Sequence, residues 1–136
     1  MAQHQPDHLL RRSLQANAAF SAISGLLLVA AAQPIGRLIG FELPALYVAL
    51  GLGLMGFALA LFAIARRPVL RPMEARWASL LDLGWVVGSV GLLVLPDLAI
   101  TLEGRWLIAL VADTVALFAL LQWLGLQRLT RAGAGS

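Results

Sequence analysis

RWASLLDLGWVVGSVGLLVL, positions 76–95, is the stretch whose reading decides the fold. As a helix rising 1.5 Å per residue it reaches about 30 Å, the thickness of a bilayer's hydrocarbon core. It carries one acid, Asp82, in its first half, and Ser89, seven residues on, falls on the same helical face. Gly84 and Gly88 lie roughly opposite, in G-x-x-x-G spacing. On a membrane helix this predicts a polar face turned toward other helices and a smooth face for close packing.

The rest of the chain has the same character. Of its 136 residues 60% are hydrophobic and 12% charged, about half the charge of a typical soluble domain. The apolar residues fall in four runs, at about 14–32, 44–65, 77–95 and 105–126. Each is long enough to span a bilayer, so the expected fold is all-α, a four-transmembrane-helix bundle forming a single domain over residues 1–136. With no cysteine, disulfides, thiol catalysis and Cys-based metal sites are excluded.

Every one of the ten basic residues is arginine, which together with the Ala, Leu and Gly load suggests a bacterial inner-membrane protein. Arg11, Arg12, Arg66, Arg67, Arg71, Arg76, Arg128 and Arg131 fall on one side of the four spans, and only Arg37 and Arg105 on the other. By the positive-inside rule both termini are then cytoplasmic. The basic loop Arg66, Arg67, Arg71, Arg76 reads as a contact for anionic headgroups of the lipid bilayer, so the basic charge calls for no nucleic acid.

Before the first span, His4, Asp7 and His8 form a polar tail too poor in ligands for a metal. Arg11-Arg12, an apolar run and Ala30-Ala31-Ala32 also describe an export signal, but the run is long and has a counterpart later in the chain. It is read as the first transmembrane helix. Ser13, Asn17, Ser21 and Ser24 make one polar stripe along it, which should face the bundle interior. Residues 33–43 read as an external loop between Pro34 and Pro44. Along the second span Ala49, Gly53, Gly56, Ala60 and Ala63 form a small-residue stripe, predicted with Gly84 and Gly88 to pack against neighbouring helices. Tyr47 near its end fits an interfacial aromatic belt.

An internal repeat links the halves 11–67 and 76–128. Moving the first span by 65 positions puts Arg11 on Arg76, Asn17 on Asp82, Phe20 on Trp85 and Ser24 on Ser89; moving the second by 61 puts Phe57–Phe62 on Phe118–Trp123. Both halves start on the same side, so the repeat is parallel. Asn17 and Asp82 should then lie at one depth, about 8 Å inside the boundary, able to hydrogen-bond or jointly line a cavity.

The fourth span adds Asp113 near mid-membrane, while Gln122 lies on its opposite face. An acid at the centre of a span costs at least about 2.5–3.5 kcal/mol, and no cation lies within a span to offset Asp82 or Asp113. Such groups suit proton coupling or cation binding, or serve only as interhelical hydrogen-bond partners. Asp82, Asp113, Asn17, Ser24, Ser89 and Trp85 are therefore the candidate ligand or proton site. No catalytic set, phosphate loop, metal site or cofactor motif is present. The expected function is a non-enzymatic accessory or structural component, its small-residue stripes serving internal packing or a larger membrane complex. The alternative is a small transporter or ligand-binding protein using Asp82 and Asp113 as a homo-oligomer.

Overall fold

The computed structural model of the chain describes residues 7–135; His4 lies outside them. Among the described residues the elements are α1 (His8–Ala30), α2 (Ala32–Ile39), α3 (Pro44–Ala65), α4 (Pro72–Val94) and α5 (Leu102–Ala134), with no strand. Four of the helices, α1, α3, α4 and α5, are long and apolar enough to cross a membrane.

Prolines set several of the boundaries. Pro44 and Pro72 open α3 and α4, where a missing N–H costs nothing and the fixed φ suits a helix start. The basic loop is therefore shorter than the sequence suggested, because α4 starts at Pro72 instead of near Arg76. Pro34 has no N–H to offer the carbonyl of Ala30. The chain breaks at Ala31 (φ −120°, ψ 34°) and restarts as α2, with Pro34 in its first turn. The expected external loop thus contains a short helix. Gly40 ends it in the left-handed conformation, φ +91°. Thr101 caps α5 by accepting from the Gly104 N–H at 3.0 Å. It also ties α5 to the end of α2, through its N–H to the Ile39 carbonyl at 2.9 Å and its hydroxyl to the Leu38 carbonyl. At the other end α5 runs on to Ala134, eight residues past the apolar run that ends near 126.

α1 lies antiparallel along α3 and along α5, and α4 packs along α5; α3 and α4 have almost no backbone contact. The best-packed core, built on Leu10, Leu14, Leu61, Ala65, Leu70, Ala78 and Leu126, sits at the arginine-rich end. There Arg11 donates to the carbonyl of Ala65, the last residue of α3, and to that of Arg67 just beyond the helix. Arg105 does the same for Leu93 at the end of α4, at 2.9 Å. Arg67 and Glu74 pair at 2.5 Å across the basic loop.

The predicted packing stripes are not the ones used. Ala49, Gly53, Gly56 and Ala60 on α3, and Gly84 and Gly88 on α4, are exposed. A Cβ added at any of these four glycines would meet nothing within 4 Å. Close approach occurs instead at Gly25 against Gly51 and at Gly125 against Leu10, where an added Cβ would fall 2.6–2.8 Å from backbone. α3 carries small residues on two faces, and the one with Gly51, Ala58 and Ala65 meets α1. Tyr47, expected at the lipid interface, is buried and donates to the Phe41 carbonyl at 2.8 Å. Substituting alanine at Gly53, Gly56, Gly84 or Gly88 should leave thermal stability unchanged or raise it by about 0.5–1 kcal/mol per site, the helix-propensity gain alone. A clear loss of the melting midpoint would show that these faces pack against something.

Candidate functional site

Asp82 is 3% exposed, in the middle of three helices. Its Oδ2 accepts from Asn17 Nδ2 of α1 at 2.6 Å and from Gln122 Nε2 of α5 at 3.1 Å. Each amide is itself held by a serine one turn away or across the interface. Ser21 donates to Asn17 Oδ1 at 3.2 Å, and Ser79 of α4 donates to Gln122 Oε1 at 3.3 Å. The serine contacts orient the amides so that both present N–H to the carboxylate. Asn17 and Gln122 are completely buried, so this network is a polar centre in a largely apolar bundle. Among the described residues the two ion pairs, Arg11 with Asp7 and Arg67 with Glu74, lie at the arginine-rich end. Asp82 has neutral partners only.

Both hydrogen bonds fall on the same oxygen. Asp82 Oδ1 takes none among the described residues, and Asp82 lines a cavity of about 370 Å³. The cavity lies among α1, α3, α4 and α5, in the space left because α3 and α4 do not pack together. Its walls are apolar and aromatic, with Phe20, Leu54, Phe57 and Val115 among them. Trp85, one turn beyond Asp82, lines it too, and its buried indole N–H has no partner among the described residues. Ser24 and Ser21 contribute the cavity's other polar groups.

Of the residues expected to form a site, the structure therefore brings Asp82, Trp85 and Ser24 to one cavity. Asn17 stands behind, positioning the carboxylate. Ser89 is buried but donates to the Trp85 carbonyl of its own helix at 2.8 Å, so its hydroxyl is spent locally. Asp113 does not join them. It is exposed on the outer side of α5, and the expectation of two buried carboxylates at one site fails for it. The reason is helical geometry: Gln122 lies nine residues from Asp113, half a turn round the helix. With Gln122 turned inward to Asp82, Asp113 must face out. Gln122 and Ser79 complete the network, although neither is among the residues the sequence pointed to. The signal for Gln122 was its position opposite Asp113; Ser79, one of several serines near a helix end, gave none.

No family model, curated protein or solved structure matches this chain.

Proposed function

We propose that this chain is a non-enzymatic, ligand-binding membrane protein, and that Asp82 is the group that holds the ligand. The observation that carries the reading is a buried carboxylate with one oxygen anchored by two amides and the other unpartnered beside a cavity. An oxygen that takes no bond from the bundle and is not sealed within it is free to accept from a ligand in the cavity that Asp82 lines. Asn17 and Gln122 act as positioning residues and Trp85 as a wall of the site. The hydrogen bond between Asn17 and Asp82, at equivalent positions of the two sequence halves, supports a parallel repeat of 11–67 and 76–128. The gathering of arginines at one end supports cytoplasmic N- and C-termini in a bacterial inner membrane, with Arg66, Arg67, Arg71 and Arg76 against anionic headgroups.

Ligand-dependent stabilisation tests this. A ligand at about 100 times its Kd adds about 2.7 kcal/mol to the folded state. Screening inorganic cations, amines and neutral amphiphiles by thermal melting should find compounds that raise the midpoint of the parent protein, raise Asp113→Asn equally, and leave Asp82→Asn unmoved. Uptake by proteoliposomes containing a pH-sensitive dye then separates carrying from holding. If no compound acts, or Asp82→Asn responds like the parent, the carboxylate is helix glue.

That outcome would favour a second reading, an accessory subunit or homo-oligomer. The exposed small-residue faces of α3 and α4, and Asp113 on the outer side of α5, favour it, because such faces let another helix approach closely.

A further inference from the structure

Taking the ligand-binding reading of the Asp82 site as its basis, we infer that the ligand is a membrane-partitioning amine that reaches Asp82 sideways, from the bilayer, between α3 and α4. Four observations converge on this class. The site offers one unpaired carboxylate oxygen, which an ammonium N–H matches in charge and in hydrogen-bonding direction. No cation of the protein occupies that position among the described residues. The cavity's aromatic walls, Phe20, Phe57 and Trp85, suit both a hydrocarbon body and a cation lying over a ring face. The opening is lateral, because α3 and α4 leave each other free there, and Gly53 on its α3 side carries no side chain to narrow it.

Other ligand classes fit less well. An inorganic cation needs about six oxygen ligands to replace its water, and Asp82 with Ser21 and Ser24 falls well short. A neutral lipid would fill the apolar walls and leave the carboxylate uncompensated. An anion would meet the carboxylate head on.

The test uses the full-length protein in nanodiscs, with Trp77, Trp106 and Trp123 replaced by phenylalanine so that Trp85 alone reports. All three replaced residues are exposed, so the bundle is undisturbed. The probes are decylamine, decyltrimethylammonium and decan-1-ol. Decylamine should shift the Trp85 emission saturably. Asp82→Asn should weaken it about tenfold or more, the weight of one charge-assisted hydrogen bond. Decyltrimethylammonium, which has no N–H, should bind more weakly than decylamine, and decan-1-ol should give only the linear drift of partitioning into lipid. Gly53→Phe provides a second variant that does not touch the carboxylate. Nothing lies within 4 Å of a Cβ there; helical circular dichroism matching the parent shows that the variant is folded, while the ring obstructs the opening and decylamine binding is lost. Saturable binding of decan-1-ol equal to that of decylamine, or binding indifferent to Asp82→Asn, would overturn the amine assignment and leave a ligand site for neutral amphiphiles. Full decylamine binding in Gly53→Phe would overturn the lateral route. No saturable response to any probe would overturn the amine, and the thermal-melting screen then decides separately whether Asp82 holds anything at all.

Discussion

Gly25→Leu or Gly51→Leu is expected to separate α1 from α3 and to cost about 3 kcal/mol or more, beyond the upper end of ordinary overpacking. The two glycines face each other. A Cβ on Gly25 would stand 2.6 Å from the Gly51 carbonyl oxygen, and a Cβ on Gly51 the same distance from the Gly25 oxygen. Backbone oxygens cannot rotate away as side chains do, so the helices themselves must move. In a bilayer that movement is expensive, because lipid is as apolar as leucine and helix association depends on close contact and hydrogen bonds. The shift would also draw α1, and Asn17 with it, away from its neighbours. Helical circular dichroism during thermal or detergent unfolding measures the effect, with Gly53→Leu and Gly84→Leu as controls on open faces. If the Gly25 and Gly51 variants melt with the parent while the controls fall, the assignment of packing faces is reversed.

Asn17→Leu is expected to be the next largest change, destabilising by about 2 kcal/mol. Leucine nearly matches asparagine in shape, so the loss is chemical. Asp82 loses its shortest hydrogen bond, 2.6 Å, and Ser21 loses its acceptor. An acid buried in the bundle is left with Gln122 alone. The sign of the double variant is the more telling result. Adding Asp82→Leu to Asn17→Leu removes the under-partnered acid and should recover part of the stability, with a coupling of about 1–2 kcal/mol between the two positions. Strict additivity in the four-way unfolding comparison would mean that Asn17 and Asp82 do not interact. An Asn17→Leu variant as stable as the parent would show that Gln122 suffices to hold the carboxylate.

The arrangement gives the bundle two unequal ends. At the arginine-rich end, leucines and alanines fill the core and Arg11 closes the C-terminus of α3. Beyond the layer of Asn17, Asp82 and Gln122 the cavity opens between α3 and α4. The polar network marks the boundary between these regions, and it ties α4 to α1, with which α4 shares little backbone contact. A ligand at Asp82 would fill the gap between α3 and α4 and so draw the two helices together, which is why stabilisation is a sensitive measure of binding.

The residues themselves determine much of this molecule, though not all of it. The four spans were legible because lipid imposes length and apolarity on any helix that crosses it, and 60% hydrophobic residues in four runs leave few alternatives. The meeting of Asn17 with Asp82 was legible too, since the polar stripe of α1 and the one acid of positions 76–95 lie about equally far into their apolar spans. Which of two small-residue stripes on α3 is buried was not legible. Ala49, Gly53, Gly56 and Ala60 make as good a packing surface as Gly51, Ala58 and Ala65; the choice belongs to α1, whose Gly25 meets Gly51. The helical start at Ala32 was hidden because a proline marks a break but does not dictate the conformation of the residues beyond it. The outward position of Asp113 was half legible: nine residues from Gln122, it could not share an inward face with that residue, but only the closing of Gln122 onto Asp82 decided which of the two turned in. Periodicity fixes the angles between side chains on one helix; the rotation of that helix about its own axis is set by its neighbours, and that is a property of the tertiary structure alone.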